Sequence, residues 1–441
     1  SSSFSRWKIC MFRYCSYRQK IIGSYATKYL FVKILYIHQY FKTPAEPGGT
    51  RSYWIAKELI SRGHEVIMIS SSQKIEKRQE IKIIDGIRVI YLKVPYDNSM
   101  GIFKRLWAFL RFMFRSTYVA LKQKNIDLII ASSTPLTVGF PALVLYFLKN
   151  IPYLFEVRDL WPEVPIQMGA LKNPFFRKCA IMFEHLIYEK AKHIVTLSPG
   201  MQNGVLKTGT PSEKVSMIPN MAKIDKFYPH EIKKEVFEKY KLRKNSFKII
   251  HFGAIGLANG LEYIIEVADL LKEKNIDDID FIILGDGAIK HKLEQETKKR
   301  KLNNVHFLGK FPMEETSKIV NVCDVSLVSF ANWPILATNS PNKFFDSLSA
   351  GKPIIVNSNG WTKDIVENYD CGYYVDVTKP EELAKLLIRI RTQRDELLKR
   401  GKNARRLAET KYDKSILCKE FADIIEKNFV SKNKESFQRT F

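Results

Sequence analysis

Despite being 45% hydrophobic over 441 residues, the chain has no uninterrupted apolar run long enough to span a bilayer, which excludes an ordinary transmembrane helix as its organising element. Cysteine is sparse. Six residues (Cys10, Cys15, Cys179, Cys323, Cys371 and Cys418) follow no framework spacing, so a disulfide-stapled secreted scaffold is excluded and a reducing compartment is expected. There is no C-x-x-C paired with H-x-x-H and no RNP-like aromatic motif, so no nucleic-acid partner is expected. His38, His64 and His251 lack ligand spacing and no Asp-x-Asp stands in a loop of the kind that holds a cation on a diphosphate, so no metal is expected. Acid is also scarce: 46 Asp and Glu face 71 Lys and Arg, a net charge of +25 that calls for an anionic partner. Nucleic acid, anionic headgroups and phosphorylated small molecules share that property. Residues 1–31 contain no acid at all and lack a continuous apolar segment, so they read as a leader or non-native extension rather than a secretory signal.

From Val32 the chain alternates short apolar runs with helical patterns. "VKILYI", "EVIMIS", "IRVIYLKV", "IDLIIAS", "YLFEVRD" and "HIVTLS" give one series of strands, and "FKIIHFGAIG", "DFIILGDGA", "VHFLGK", "VSLVSF", "PIIVNS" and "GYYVDV" a second. This βαβ logic predicts an α/β protein with two doubly wound, Rossmann-like parallel sheets facing across a cleft. The expected divisions are 32–222, a linker over 223–245, 246–412, a final helix within 413–429 able to pack back on the first domain, and a disordered tail over 430–441. Glycines fall where ligands of such sheets bind, beyond strand ends: Gly48 and Gly49; Gly253, Gly256 and Gly260; Gly285 and Gly287 around Asp286.

The stretch "NSPNKFFDSLSAGKPIIV", Asn339 to Val356, is sharply punctuated. Ser340 reads as an N-cap, Pro341 as the first helical residue, Gly351 as the residue past the end and Pro353 as the stop. Phe344, Phe345 and Leu348 form a core stripe, while Asn342, Lys343 and Asp346 share another side. A helix N-terminus, a lysine one turn in and a carboxylate one turn deeper suit a ligand with phosphate at one end and sugar hydroxyls at the other.

These residues, with "PAEPGGTRSYWIAKELISRGHEV", "VSMIPNMAKIDKFYP", "FIILGDGA" and "VHFLGK", resemble the retaining, nucleotide-sugar-dependent glycosyltransferases of GT-B architecture, family 4, from about Val32 to Asn428. "YIHQYF", "FEVRDLWPE" and "SPNKFFDSLSAGKP" are similar to the subset that assembles bacterial capsule and O-antigen, including N-acetyl-L-fucosamine transferases. The resemblance implies an acceptor-side first domain and a donor-binding second domain. It aligns Asp346 with an acid that contacts the donor ribose, and Thr338 with a position that is usually acidic. An Arg and Lys pair that often holds the diphosphate is replaced here by "HFGAIGLANGLEY", which leaves Lys343 as the main positive charge, aided by backbone N–H groups near Gly256, Asn259 and Gly260. Asp286 and Gly287 match a turn beside the nucleotide, Lys310 and Phe311 the segment bordering the base, and Asn339, Ser340 and Asn342 the donor-side loop. Glu156, Arg158 and Asp159 end a strand at the cleft and join Lys343 and Asp346 as catalytic candidates, with an ion-pair network bracing the sheet as the other reading of that trio. From the first domain, His38 and Arg51 would line the acceptor side and Gly49 would approach the donor.

The donor implied is a nucleotide sugar, UDP-linked in this subset, used as a substrate without cofactor or metal. The acceptor implied is a glycan on a polyprenyl diphosphate, which would place the enzyme in the cytoplasm, peripheral at the inner face of the plasma membrane. "IFKRLWAFLRFMFRSTYVALKQK", Ile102 to Lys124, reads as a helix with Phe103, Leu106, Trp107, Leu110, Met113 and Phe114 on one face and Lys104, Arg111, Arg115 and Lys122 on another, fit either for a core with a basic rim or for an anionic membrane surface. Two rival readings are a nucleotide-sugar 2-epimerase of the same architecture and a non-catalytic basic protein that binds membrane surfaces or polyanions.

Overall fold

The computed structural model describes residues 31–96, 100–231 and 234–430. Two sheets organise them. The first runs β3-β4-β2-β1-β5-β6-β7-β8, with β1 Lys33–Ile37, β2 Glu65–Ser72, β3 Gln79–Ile84, β4 Ile87–Lys93, β5 Leu128–Ser132, β6 Tyr153–Val157, β7 His193–Thr196 and β8 Val215–Met217. The second runs β11-β10-β9-β12-β13-β14, with β9 Phe247–Ala254, β10 Ile279–Asp286, β11 Val305–Gly309, β12 Val325–Val328, β13 Ile354–Val356 and β14 Gly372–Tyr374. Every residue of β5, β6 and β7 is buried, as expected of strands covered on both faces. Sequence reading missed β3, which pairs antiparallel with β4 at the sheet edge. Its charged, half-exposed "QEIKII" leaves Ile81 and Ile83 in solvent, so it lacks the apolar run that marks a buried parallel strand.

The helices that position the site are α1 (Arg51–Ser61), α2 (Ile102–Leu121), α3 (Gly139–Lys149), α4 (Pro174–Lys190), α5 (Pro199–Lys207), α6 (Glu262–Glu273), α7 (Asn342–Ser349) and α8 (Lys414–Ile425). Strands β5, β6 and β7 advance in one direction, so right-handed crossovers set α3 and α4 on one face, where α2 packs against α3 and α3 against α4. Local chemistry starts two of these helices firmly: Asn173 accepts from the N–H groups of Phe175 and Phe176 ahead of Pro174, and Ser198 accepts from Met201 ahead of Pro199.

The stretch read as a linker is not free. Phe227, Val236 and Leu242 are buried in the core under the second sheet with Ile250, Phe252 and Ile282. At the other end α8 crosses back to the first domain and packs on α1, with Arg62 of the α1 C-cap paired to Asp423 at 2.6 Å and Glu426 at 3.2 Å. The chain stays buried as far as Val430, one residue into the expected tail. The expected leader up to residue 30, and the tail from residue 431, lie outside the described residues. Among the described residues no helix is long and apolar enough to cross a membrane.

Candidate functional site

Between the two sheets lies a cavity of about 300 Å³. The first domain lines it with His38 and Tyr40 beyond β1, Gly49 before α1, Thr134 beyond β5, and Arg158 and Asp159 beyond β6. The second domain contributes Phe330 and the run Asn339, Ser340, Pro341 and Asn342, and the junction contributes Asn220. All the first-domain strand residues stand at carboxyl ends, where a doubly wound sheet leaves its crevice. The domains touch across it: a Cβ on Gly49 would lie 3.0 Å from Asn342 Nδ2 and 3.6 Å from Arg158 Nη2, so only glycine fits this approach without displacing a neighbour.

Helix α7 begins one residue later than its sequence suggests. Pro341 is the N-cap, and no side chain caps the helix. Ser340 is drawn away instead: its Oγ accepts from the Asn220 backbone N–H at 3.2 Å and its carbonyl from Asn220 Nδ2 at 2.5 Å. The first-turn N–H groups therefore open toward the cavity, carrying the helix's partial positive charge.

Lys343 and Asp346 occupy one side of α7, yet both are buried rather than open. Lys343 lies over the end of β9, where a Cβ on Gly253 would come within 3.3 Å of its Cε. Its Nζ is 3.2 Å from His251 Nε2. With the Asn259 amide nitrogen facing the Ala254 carbonyl, the amide oxygen sits 3.1 Å from the same Nζ. Both partners are neutral, and burial pulls the Lys343 ammonium down to about 7. His251 is held well below its ordinary value, first by burial and then by Lys343, so it remains an acceptor. Asp346 is paired with Lys223 Nζ at 2.7 Å; burial raises its carboxyl and Lys223 partly offsets that.

On the first-domain side His38 Nε2 lies 2.9 Å from Arg158 Nη1 and His38 Nδ1 lies 2.8 Å from Ser52 Oγ. Arginine can only donate, so Nε2 accepts and Nδ1 carries the proton. Burial, then Arg158, holds this imidazole well below its ordinary value. Burial likewise raises the Asp159 carboxyl, against a 2.7 Å hydrogen bond from Thr134 Oγ1 and the charge of Arg158.

Of the catalytic and acceptor-side candidates, Lys343, Asp346, Arg51 and Glu156 do not line the cavity. Arg51 and Glu156 are fully buried and bonded to each other, Nε to Oε1, at 2.7 Å. Ser132 Oγ donates to Glu156 Oε2 at 2.5 Å, and Arg51 donates to the carbonyls of Ile218 and Pro219. Burial raises the Glu156 carboxyl but Arg51, Arg158 and the hydrogen bonds more than offset it, so it stays ionised. Of the trio that could brace the sheet only Glu156 takes part in such a network, and its partner is Arg51, tying α1 and β6 to the domain junction. Thr338 is also turned away, its Oγ1 donating to the Ile335 carbonyl at 2.7 Å and its own carbonyl accepting from Ser198 Oγ.

The remaining glycine cluster stands outside the cavity wall, at the carboxyl ends of β9 and β10. A Cβ on Gly285 would fall 1.7 Å from the Gly253 carbonyl oxygen, an approach no other residue permits. Asp286 is exposed and accepts from the Gly287 N–H at 2.9 Å. Gly260, left-handed at φ 56°, turns the chain from the Gly256 loop into α6. Lys310 is exposed beyond β11, and Phe311 packs edge-on against Tyr240 at 5.3 Å rather than standing free. Sequence reasoning missed Tyr40, Thr134, Asn220, Lys223 and His251's contact with Lys343. Asn220 and Lys223 carried a local signal, inside "IPNMAK" at the junction, and Tyr40 one inside "YIHQYF". Among the described residues no three or more His, Cys, Asp or Glu side chains gather as a metal site.

Residues 48–221 match the glycosyl transferase 4-like domain and residues 232–407 the glycosyl transferases group 1 family. The chain belongs to the glycosyltransferases. Its two facing sheets are a GT-B fold. A solved structure of HepE from Anabaena, in complex with UDP and glucose, superposes with a TM-score of 0.65 at 17% identity over 90% of this chain and 99% of that one. WcaI of Escherichia coli K12, provisionally named a colanic acid biosynthesis glycosyl transferase, is 28% identical over 58% of this chain and 62% of its own length. The UDP-Gal:alpha-D-GlcNAc-diphosphoundecaprenol alpha-1,3-galactosyltransferase of Escherichia coli is 28% identical over 40% of this chain and 45% of its own. The chain thus spans less than two thirds of the length of these curated relatives.

Proposed function

We propose that this glycosyltransferase moves a sugar, with retention at the anomeric carbon, from a UDP-linked donor to a glycan carried on a polyprenyl diphosphate, in the assembly of a surface polysaccharide such as capsule or O-antigen. One observation carries the reading: the uncapped N-terminus of α7, whose Asn342 lines the cavity with Arg158 and Asp159, is followed in its first turn by a buried lysine that has only neutral partners and lies over the Gly253 turn. The relative that acts on a diphosphoundecaprenol acceptor and the neighbour solved with UDP support the choice of substrates.

The chemistry follows from charge. As the donor's diphosphate departs, negative charge grows on its oxygens, and the α7 N–H groups with Lys343 supply fixed positive potential there. A charge-assisted contact of this kind contributes about 1.5–3 kcal/mol. Asp346, oriented by Lys223, offers its carboxylate to the ribose hydroxyls. Neutral His38 holds Arg158 in place, and Asp159 accepts a hydrogen bond from the attacking hydroxyl. No metal is assigned to the diphosphate. The enzyme works at the inner face of the plasma membrane, meeting its acceptor through α2.

The test is thermal protection by UDP-, GDP- and dTDP-sugars, followed by transfer to a short-chain polyprenyl-diphosphate glycan. Protection by UDP compounds alone, with product formed only when acceptor is present, is the expected result. Epimerised sugar released without acceptor would establish a 2-epimerase instead, and no protection by any nucleotide would leave a non-catalytic basic protein.

A further inference from the structure

Helix α4 is poorly supported for its length. Of its 17 residues only Ile187 and Tyr188, near its end, are buried. Phe175, Met182 and Leu186, spaced to share one side, are exposed, Phe175 by 68% and Met182 by 62%, and Phe176 beside them is exposed as well. The pattern continues onto the two helices beside it. Eleven of the eighteen large exposed apolar side chains among the described residues lie on α2, α3 and α4, including Trp107, Phe114 and Phe147.

This face is basic as well as apolar. The three helices carry eight Lys and Arg against two acids, Glu184 and Glu189, both toward the end of α4. Lys104, Arg111 and Lys178 are exposed among the rings, and Lys122 lies over the Tyr118 ring at 4.1 Å. In α2 the apolar and basic residues do not separate onto two faces as its sequence suggests: Trp107, Arg111, Phe114 and Tyr118 share the exposed one. Arg115 is withdrawn, donating to the Lys93 carbonyl at 2.6 Å.

The inner side of α2 adjoins the cleft. Tyr40, on the cavity wall, meets Tyr96 at 4.7 Å, Tyr96 stacks on Phe109 of α2 at 5.8 Å, and Phe109 meets Trp161 at 6.0 Å. Rings thus run from the cavity to the first turns of α2, while α4 begins in the segment that leaves Arg158.

We infer that the start of α4, with its rings at Phe175 and Phe176, inserts at the headgroup boundary of an anionic lipid leaflet, with α2 and α3 as its basic and aromatic flank, so that the cleft opens onto the membrane. Large apolar side chains in water beside cations, with acids nearly absent, suit anionic headgroups above acyl chains. A second copy of this face would bring like charges together. For its purpose the inference rests on the lipid-linked acceptor proposed above.

Full-length protein is sedimented with vesicles of equimolar phosphatidylglycerol and phosphatidylcholine, and with phosphatidylcholine alone, in the absence of donor and acceptor. Wild type should bind the anionic vesicles and be released by salt. The variant Phe175→Ser/Phe176→Ser should bind about tenfold more weakly or worse while UDP still protects it from unfolding. Met182→Asp, which changes only an exposed position, should weaken binding in the same direction and covers misfolding of the double variant. Wild-type binding by Met182→Asp, or vesicle-independent dimers that the variants abolish, overturns the inference. Because neither donor nor acceptor is present, failure here leaves the proposed reaction standing, and failure of UDP protection leaves this surface standing.

Discussion

Arg51 and Lys343 are both buried cations in the first turn of a helix, one in each domain, and they are held in opposite ways. Arg51 has a carboxylate, two carbonyls and no open side. Lys343 has an imidazole and an amide, neither of which carries charge. A buried cation is stable only when its lost hydration is replaced. Arg51 is repaid entirely by its own chain, so its site is structural. Lys343 is repaid in part and its ammonium is driven toward neutrality, which is why we propose it as the group that the donor's diphosphate would complete. Burial alone therefore does not separate a brace from a binding group, whereas the charge of the partners does.

The largest expected effect breaks the first half of that comparison. Glu156→Ala leaves Arg51 buried beside carbonyls alone and should cost about 3–5 kcal/mol of stability. A denaturant melt reads it, and a midpoint equal to wild type would remove Glu156 from the brace. Lys343→Ala should do the converse, leaving the melt unchanged or slightly raised while weakening UDP by about 10- to 150-fold, which calorimetry measures.

The third prediction follows from the Lys343 ammonium standing near 7, below its ordinary value. Over the range from about 7 to its unfolded value near 10.4 the unfolded chain holds the proton and the folded one does not, so this group makes stability rise with pH there. Nucleotide binding has the opposite sign, because diphosphate favours the protonated form. UDP affinity should fall as pH rises above about 7, with proton uptake visible in buffers of different ionisation enthalpy. Lys343→Met should flatten that part of the profile; an unchanged slope would assign the titration elsewhere.

The smallest effect concerns the seam between the two regions. Asn220→Ala removes the side-chain amide bond to the Ser340 carbonyl, leaves the backbone one to Ser340 Oγ, and should cost about 1 kcal/mol of domain contact. X-ray scattering should show a larger radius than wild type without nucleotide and a greater compaction on adding UDP. Equal radii in both states would show that the seam does not govern closure.

By itself the sequence determined what local patterns dictate: two series of apolar strand runs, glycines at their ends, and a helix within Asn339 to Val356 whose Phe344, Phe345 and Leu348 are all fully buried. Those features depend on neighbours a few residues away, and spacing records them. Edge strand β3 escaped because four of its six residues are exposed and none is buried. Partnership was decided only in three dimensions. Lys343 finds His251 across 92 residues, Arg51 finds Glu156 across 105, and Lys223 reaches Asp346 from the junction. A charged residue at a strand or helix end looks the same in sequence whether its partner is a carboxylate or a neutral ring. The packing of two domains brings the partner, and with it the sign and size of the charge that remains.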